Sequence, residues 1–108
     1  MTRYLLLALN GPTPGEGNEE ALNRWYEEEH LPAFKTIEEI KSARRYKVIQ
    51  GNVPGLSEIW PFVAVYEIET DDIAAVSAKL GEKMRVFHPA LDRTKSAFIR
   101  AVQISGDI

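Results

Sequence analysis

An ionisable pair stands near the end of the first predicted helix, within the run from Trp25 to Pro32, "WYEEEHLP". Glu29 and His30 are adjacent there, and a carboxylate beside an imidazole has the parts of a general acid–base pair. Tyr26, one helical turn before His30, carries a hydroxyl that can donate a hydrogen bond to a developing oxyanion. These residue types predict proton-transfer chemistry, with His30 as base or acid and Glu29 orienting it or sharing its proton.

A helical wheel separates the three glutamates. Glu29 falls in the middle of the apolar stripe, while Glu27 and Glu28 fall outside it, where solvent is expected. A carboxylate facing the sheet needs a partner or a proton, because an unpaired buried charge is very costly. We therefore expect Glu29 to contact one of four nearby side chains: Arg44, Arg45, Tyr46 or His30.

Each residue of the pair also has a purely structural interpretation. Glu29 can form a buried ion pair that orients the helix. His30 can act as a favourable cation, or as a hydrogen-bonding cap, at the helix C-terminus.

We further expect Trp25, Tyr46 and Phe62 to shape a binding pocket. His88, which precedes Pro89 in a loop, is a second acid–base group or lid residue if that loop folds back, and otherwise an exposed side chain. Two histidines and a carboxylate are a conceivable metal triad, but their spacing matches no ligand motif, so we expect no metal.

The composition places the chain among globular proteins and excludes several functions. Its 108 residues suit one domain, residues 1–108, and 44% hydrophobic with 27% charged residues argues against disorder. A net charge of −3 without a basic block disfavours nucleic-acid and anionic-membrane surfaces. Cysteine is absent, which removes disulfides and thiolates and fits a cytoplasmic location. We expect no phosphate-binding loop, because "GPTPGEG" has prolines where free N–H groups would be needed.

Hydrophobic periodicity and Gly/Pro-rich loops predict six main elements. The first helix is expected to begin at an Asn18 N-cap and to break at His30–Leu31, because Pro32 would clash with the Glu28 carbonyl. A second, short helix can follow within "PAFKTIEEI". Strands are predicted at Arg3–Leu9, Ser42–Gln50, Ile59–Glu69 and Ser96–Ile104, and a second long helix after Thr70-Asp71-Asp72. This β-α-β-β-α-β order is the ferredoxin-like arrangement, an α+β fold with a four-stranded antiparallel sheet and two helices on one face.

Both faces of the predicted strands are apolar, although two helices can cover only one face. Soluble monomers avoid large exposed apolar patches, so a second copy of the sheet is the simplest cover and predicts a homodimer. Arg100 interrupts the apolar register of the last strand between Phe98 and Val102. It needs an acidic partner or solvent, or it binds an anionic ligand group.

The segments "NRWYEEEHLPAF" and "SARRYKV" resemble small EthD-like proteins of the dimeric α+β barrel superfamily. Those proteins have an aromatic residue, a Glu-His or similar pair, a hydrophobic residue and a proline at the end of the first helix. The resemblance implies two sheets packed into a barrel across the dimer, with a pocket in each subunit that the histidine matching His30 lines. Relatives in that superfamily include cofactor-free monooxygenases, lactone isomerases, polyketide cyclases, dehydratases and haem-binding enzymes, so the fold alone does not choose a reaction.

The resulting hypothesis is a homodimeric enzyme without a cofactor that acts on a compact apolar or aromatic metabolite. Isomerase, dehydratase, cyclase or lyase chemistry fits the pair best, and cofactor-free oxygenation is a weaker member of the set. The alternative is a non-catalytic protein of a metabolic pathway that binds a small ligand or assists a partner enzyme. Haem binding through a histidine ranks below both.

Overall fold

The four strands form one antiparallel sheet. In the computed structural model, which describes residues 1–108, they pair in the spatial order β2-β3-β1-β4. Their bounds are Thr2–Asn10 for β1, Ile40–Lys47 for β2, Phe62–Thr70 for β3 and Ala97–Val102 for β4. The predicted ferredoxin-like order and antiparallel sheet are confirmed.

The helices lie on one side of this sheet. The first helical segment consists of α1 (Asn18–Trp25), a π-helical turn (Tyr26–His30) and α2 (Leu31–Phe34), which continue one another without a loop. A short helix, α3 (Leu56–Ile59), precedes β3, and α4 (Ile73–Lys83) follows it. A 3₁₀ turn (Arg93–Lys95) leads into β4. None of these helices has the length and apolar character needed to cross a membrane.

Two local expectations are wrong. The N-cap of α1 is Gly17 at φ 83°, and Asn18 is already helical, with its side-chain amide donating to the Pro14 carbonyl at 3.3 Å. The Gly/Pro-rich segment Gly51–Glu58, between the second and third predicted strands, was expected to be a loop, but it contains most of α3, because Gly55 at φ 80° starts a helical turn. The expected cap of α4 is present: Asp72 accepts a hydrogen bond from the Ala75 N–H at 3.1 Å.

The helix-facing side of the sheet forms the core. Along β3, Phe62, Ala64, Tyr66 and Ile68 are buried, and the intervening residues are less so. Leu22 from α1 and Val76 from α4 are completely buried against this face. The alternation follows the two-residue period of a strand, although the sequence, apolar on both faces, did not show which face would be covered.

The opposite side of the sheet has no helix over it. Its apolar side chains come from three neighbouring strands and include Leu5, Leu7, Leu9, Val63, Val65 and Ile99. Ile99 remains 51% exposed, and Tyr46 on β2 is 50% exposed on the same side. The first strand is therefore only half-buried within a single chain, although its sequence is typical of a strand covered on both faces.

Candidate functional site

A cavity of about 490 Å³ opens between the sheet and the helices. Its walls come from β1 and β4 below, the π-helical turn and α2 on one side, and α4 with the following loop on the other. Most of the lining is apolar, and a few polar side chains interrupt it: Asn10, Tyr26, His30, Tyr66, Ser77, Arg93, Ser96 and Arg100. A mostly apolar cavity with a few polar groups is the usual form of a small-molecule site.

The π-helical turn decides which residue of the ionisable pair faces this cavity. The Leu31 N–H donates to the Tyr26 carbonyl, five residues back instead of the four of an α-helix. The residue lying over Trp25 is therefore His30, whose ring stacks on the indole with centroids 4.3 Å apart and planes at 21°. Glu29 is turned outward and exposed. The helical-wheel placement of Glu29 over the sheet is wrong, because the wheel assumes a constant α-helical period.

Pro32 explains why the helix widens here. Proline has no N–H for the Glu28 carbonyl, and its ring would clash with that carbonyl in a continuous α-helix. A turn wound with one extra residue lets the chain pass Pro32 and continue as α2. The predicted break near His30 is thus present as a change of helix type rather than as an end.

Glu29 forms no ion pair or hydrogen bond with any of its four expected partners, and the adjacent His30 is buried against Trp25 while Glu29 is exposed. Arg44 points to the opposite side of the sheet and pairs with Glu67 at 3.0 Å. Arg45 is on the helix side, but its Nη1 donates to Asn23 Oδ1 at 2.6 Å. Tyr46 lies on the uncovered side of the sheet, so the expectation that it lines the pocket is also wrong.

His30 is a buried imidazole in an aromatic environment. It is only 8% exposed, and its ring lies edge-on to Tyr26 and Phe34 at centroid distances of 5.0 and 5.2 Å. Burial lowers the pKa of His30 to about 4, and no hydrogen bond or charged group counters this effect. At neutral pH the ring is therefore uncharged, with one nitrogen that donates and one that accepts.

Tyr26 is held by Asn10, a residue that the sequence did not single out. Asn10 Nδ2 donates to the Tyr26 hydroxyl oxygen at 2.7 Å, and both side chains are buried. Because that oxygen accepts from Asn10, its own proton is free to be donated elsewhere. Burial raises the pKa of Tyr26, while the Asn10 bond and the Arg45 charge oppose the rise. The Arg45 guanidinium carbon lies 4.3 Å from the ring centroids of both Tyr26 and Phe62.

Tyr66 is the second polar group that the sequence did not reveal. It is 1% exposed and stacks on Phe34 with centroids 4.1 Å apart. Its hydroxyl has no hydrogen-bond partner, and the same is true of Asn10 Oδ1. Burial raises the pKa of the Tyr66 hydroxyl, so it stays protonated. The inner end of the cavity thus combines hydroxyl and amide groups whose hydrogen-bonding capacity is not fully used.

The other predicted pocket residues stand behind the cavity wall. The Trp25 indole stacks on the His30 ring, and the Phe62 ring packs against the Arg45 guanidinium group. His88 Nδ1 accepts the Ala90 N–H at 3.0 Å, and its ring centroid is 6.3 Å from that of Trp25. None of the three lines the cavity, which instead uses Phe34, Phe87 and other apolar side chains.

A second hollow of about 590 Å³ lies at the edge near Arg3 and Lys41. Its charged groups already have partners: Arg3 contacts Asp107 at 2.8 Å and Glu69 at 3.5 Å, and Lys41 donates to the Glu38 carbonyl at 3.1 Å. These exposed pairs leave little unused binding capacity. No three histidine or acidic side chains in the protein come together as a possible metal site.

Comparison with solved structures supports the fold. A protein of Arabidopsis thaliana has a TM-score of 0.65 at 14% identity, with all of both chains covered. An EthD family protein of Bacillus halodurans has a TM-score of 0.59 at 12% identity, covering 96% of this chain and 100% of that one. A dimeric ferredoxin-like protein of unknown function from Thermobifida fusca has a TM-score of 0.59 at 17% identity, covering 94% and 92%. No protein-family model matches the sequence, and no curated protein does. The chain thus has the ferredoxin-like fold that EthD-like proteins share.

The two cavity tyrosines should differ in what their hydroxyls contribute to stability. Tyr66→Phe removes an unpaired buried hydroxyl, so we expect the free energy of unfolding to stay equal or to rise by about 1 kcal/mol. Tyr26→Phe is the matched control: it leaves Asn10 Nδ2 unpaired and should cost about 1–3 kcal/mol. Urea unfolding of both variants measures the difference. A loss of more than about 1 kcal/mol in Tyr66→Phe would contradict the expected difference between the two hydroxyls.

His30 should make the protein less stable as the pH falls. Its folded pKa of about 4 lies below the unfolded value of 6.5, so the unfolded chain takes up the proton first. Stability is complete above the unfolded pKa and declines as the pH falls from 6.5 towards 4, by about 2–3 kcal/mol for a shift of this size.

Urea unfolding between pH 7 and pH 5 tests this, because that window lies above the range where most carboxylates titrate. His30→Gln should flatten the decline, and His88→Gln, which alters a histidine outside the cavity, should keep it. An equally steep decline in His30→Gln and the unmodified protein would show that another group is responsible.

Proposed function

We propose that this protein is a small homodimeric enzyme that moves a proton on a compact apolar or aromatic metabolite. The observation that carries the proposal is the neutral, buried His30 ring in the cavity wall, next to the Tyr26–Asn10 pair. No other group in the cavity is both uncharged at neutral pH and able to accept a proton readily. The fold shared with an EthD family protein is consistent with such a site but does not choose the reaction.

The residues divide the chemistry between them. Neutral His30 accepts a proton from a carbon or hydroxyl group of the substrate and returns it at another position. Tyr26 donates its free proton to the oxyanion that develops, and Asn10 keeps the phenol oriented for this. Because burial disfavours the imidazolium, the substrate anion beside it has to stabilise it. Such a step suits isomerisation, dehydration, cyclisation or lyase chemistry, and Glu29, which is exposed, has no part in it.

The uncovered face of the sheet supports the homodimer. Leu5, Leu7 and Leu9 lie beside Val63 and Val65 with no element over them, and such a patch is costly in water. A second copy packed sheet against sheet covers it on both subunits at once. The Thermobifida fusca protein of the same fold is described as dimeric, which supports a dimer here.

A non-catalytic ligand-binding protein is the second candidate function. The observation that favours it is the environment of His30, which aromatic rings surround and no carboxylate orients. An efficient general base has a pKa nearer the working pH than about 4. In this alternative the same cavity holds the metabolite, and His30 serves as a hydrogen-bonding group.

A panel of aromatic and apolar metabolites, screened by thermal shift, should reveal ligands that raise the midpoint of unfolding. Any such ligand is then incubated with the protein and followed by NMR for isomerised, dehydrated or cyclised products and for exchange of its acidic protons with deuterium. We expect His30→Gln to lower the rate of exchange or turnover by at least about 100-fold, while His88→Gln remains close to the unmodified protein. A bound ligand whose protons exchange no faster than in buffer would support the binding protein instead.

The dimer should depend on the uncovered face. Light scattering at micromolar concentration is expected to give twice the mass of one chain, and Leu7→Lys should give a monomer because it places a charge in the middle of that face. Ile49→Lys is the control, since Ile49 is 90% exposed outside the strands. A monomeric unmodified protein would overturn the sheet-to-sheet arrangement.

A further inference from the structure

We propose that the cavity selects ligands that carry an anionic group, such as a carboxylate, and that Arg93 and Arg100 bind this group at the cavity's rim. The inference deepens the proposed function by naming the class of ligand, and it rests on the cavity binding a small apolar molecule. It uses two side chains that the proton-transfer chemistry leaves without a role.

Both arginines belong to the cavity by their place in the fold. Arg100 is opposite Leu6 in the β1–β4 pairing, so it stands on the helix-facing side of the sheet. Arg93 lies in the 3₁₀ turn before β4, and its guanidinium carbon is 4.8 Å from the ring centroid of Phe87, another lining residue. Both residues are exposed, as expected of groups at the rim of the cavity rather than on its floor.

Neither arginine is paired with an acid. The ion pairs of the protein use Arg3, Arg44 and Lys79, and no hydrogen bond from the side chain of Arg93 or Arg100 accompanies them. The acidic neighbour Asp92 is occupied by Thr94, whose N–H and hydroxyl both donate to Asp92 Oδ1. Two guanidinium groups that line one cavity therefore keep their hydrogen-bonding capacity for a carboxylate, which each can bind through paired N–H donors.

The charge of the cavity is opposite to that of the chain. The protein carries a net charge of −3, yet no aspartate or glutamate lines the cavity and His30 is uncharged at neutral pH. Two arginines thus set the sign of the local potential, and the apolar walls weaken its screening by water. Arg100 is exposed between Phe98 and Val102 on β4, so solvent satisfies its charge in the free protein and it can exchange that solvent for an anionic ligand.

A ligand that satisfies the whole cavity has three parts. Its apolar or aromatic body lies against Leu6, Ala8 and Phe87, and its anionic group meets the arginines at the rim. At the inner end, a hydroxyl or carbonyl group meets Tyr26 and His30, where the proton transfer takes place. The charged group then fixes which end of the molecule reaches His30.

Two fluorescent probes that differ by one sulfonate test this selectivity: 8-anilinonaphthalene-1-sulfonate and neutral N-phenyl-1-naphthylamine. We expect the sulfonate to bind more tightly by about fivefold or more, and added salt to weaken it but not the neutral probe. Arg93→Gln and Arg100→Gln should each reduce sulfonate binding severalfold and leave the neutral probe unchanged. Arg24→Gln is the control, because it removes the same charge from the exposed side of α1.

NMR shifts of the His30 ring show whether a probe occupies the cavity. If both probes shift His30 and bind equally well, the anion selectivity is wrong and the proposed function stands. The inference also fails if Arg24→Gln weakens the sulfonate as much as the rim variants do, or if the sulfonate binds without shifting His30. If neither probe shifts His30, the cavity does not take apolar molecules, and the proposed function fails with the inference.

Discussion

The stacking of His30 on Trp25 is the contact on which the site depends. It joins residues five apart, which only a π-helical turn brings into register, and it fills the position that an α-helix would give to Glu29. π-helical turns are rare because they pack the backbone less well, and they occur often at functional sites. One extra residue in one turn therefore replaces a carboxylate with an imidazole at the cavity wall and moves the carboxylate into solvent.

Burial then sets the properties of the groups that face the cavity. Desolvation disfavours the charged forms of His30, Tyr26 and Tyr66, so His30 is uncharged and both tyrosines are protonated at neutral pH. The unpaired Tyr66 hydroxyl and Asn10 Oδ1 reduce the stability of the fold, since a buried polar group without a partner costs about 1–3 kcal/mol.

The sequence predicted the fold well because its signals are local. Apolar runs such as Tyr4–Leu9 end at Gly/Pro loops, and the two-residue period of a strand shows which side chains of β3 share a face. The site was predicted only in part. His30 and Tyr26 were identified, but Glu29 was misplaced because a wheel with one fixed period cannot show a π-helical turn. Pro32 was the available signal, and it indicated a break rather than a wider turn. Asn10 and Tyr66 depend on pairing between distant strands, which no local pattern shows.

The most direct measurement is a set of NMR nuclear Overhauser contacts from the Trp25 indole. The account predicts strong contacts to the ring protons of His30, which should also resonate upfield because they lie over the indole at 4.3 Å between centroids. It predicts no contacts to the side chain of Glu29, which is exposed. Contacts from the indole to Glu29, together with His30 ring protons at the chemical shifts of a solvent-exposed histidine, would show a regular α-helix and contradict the account.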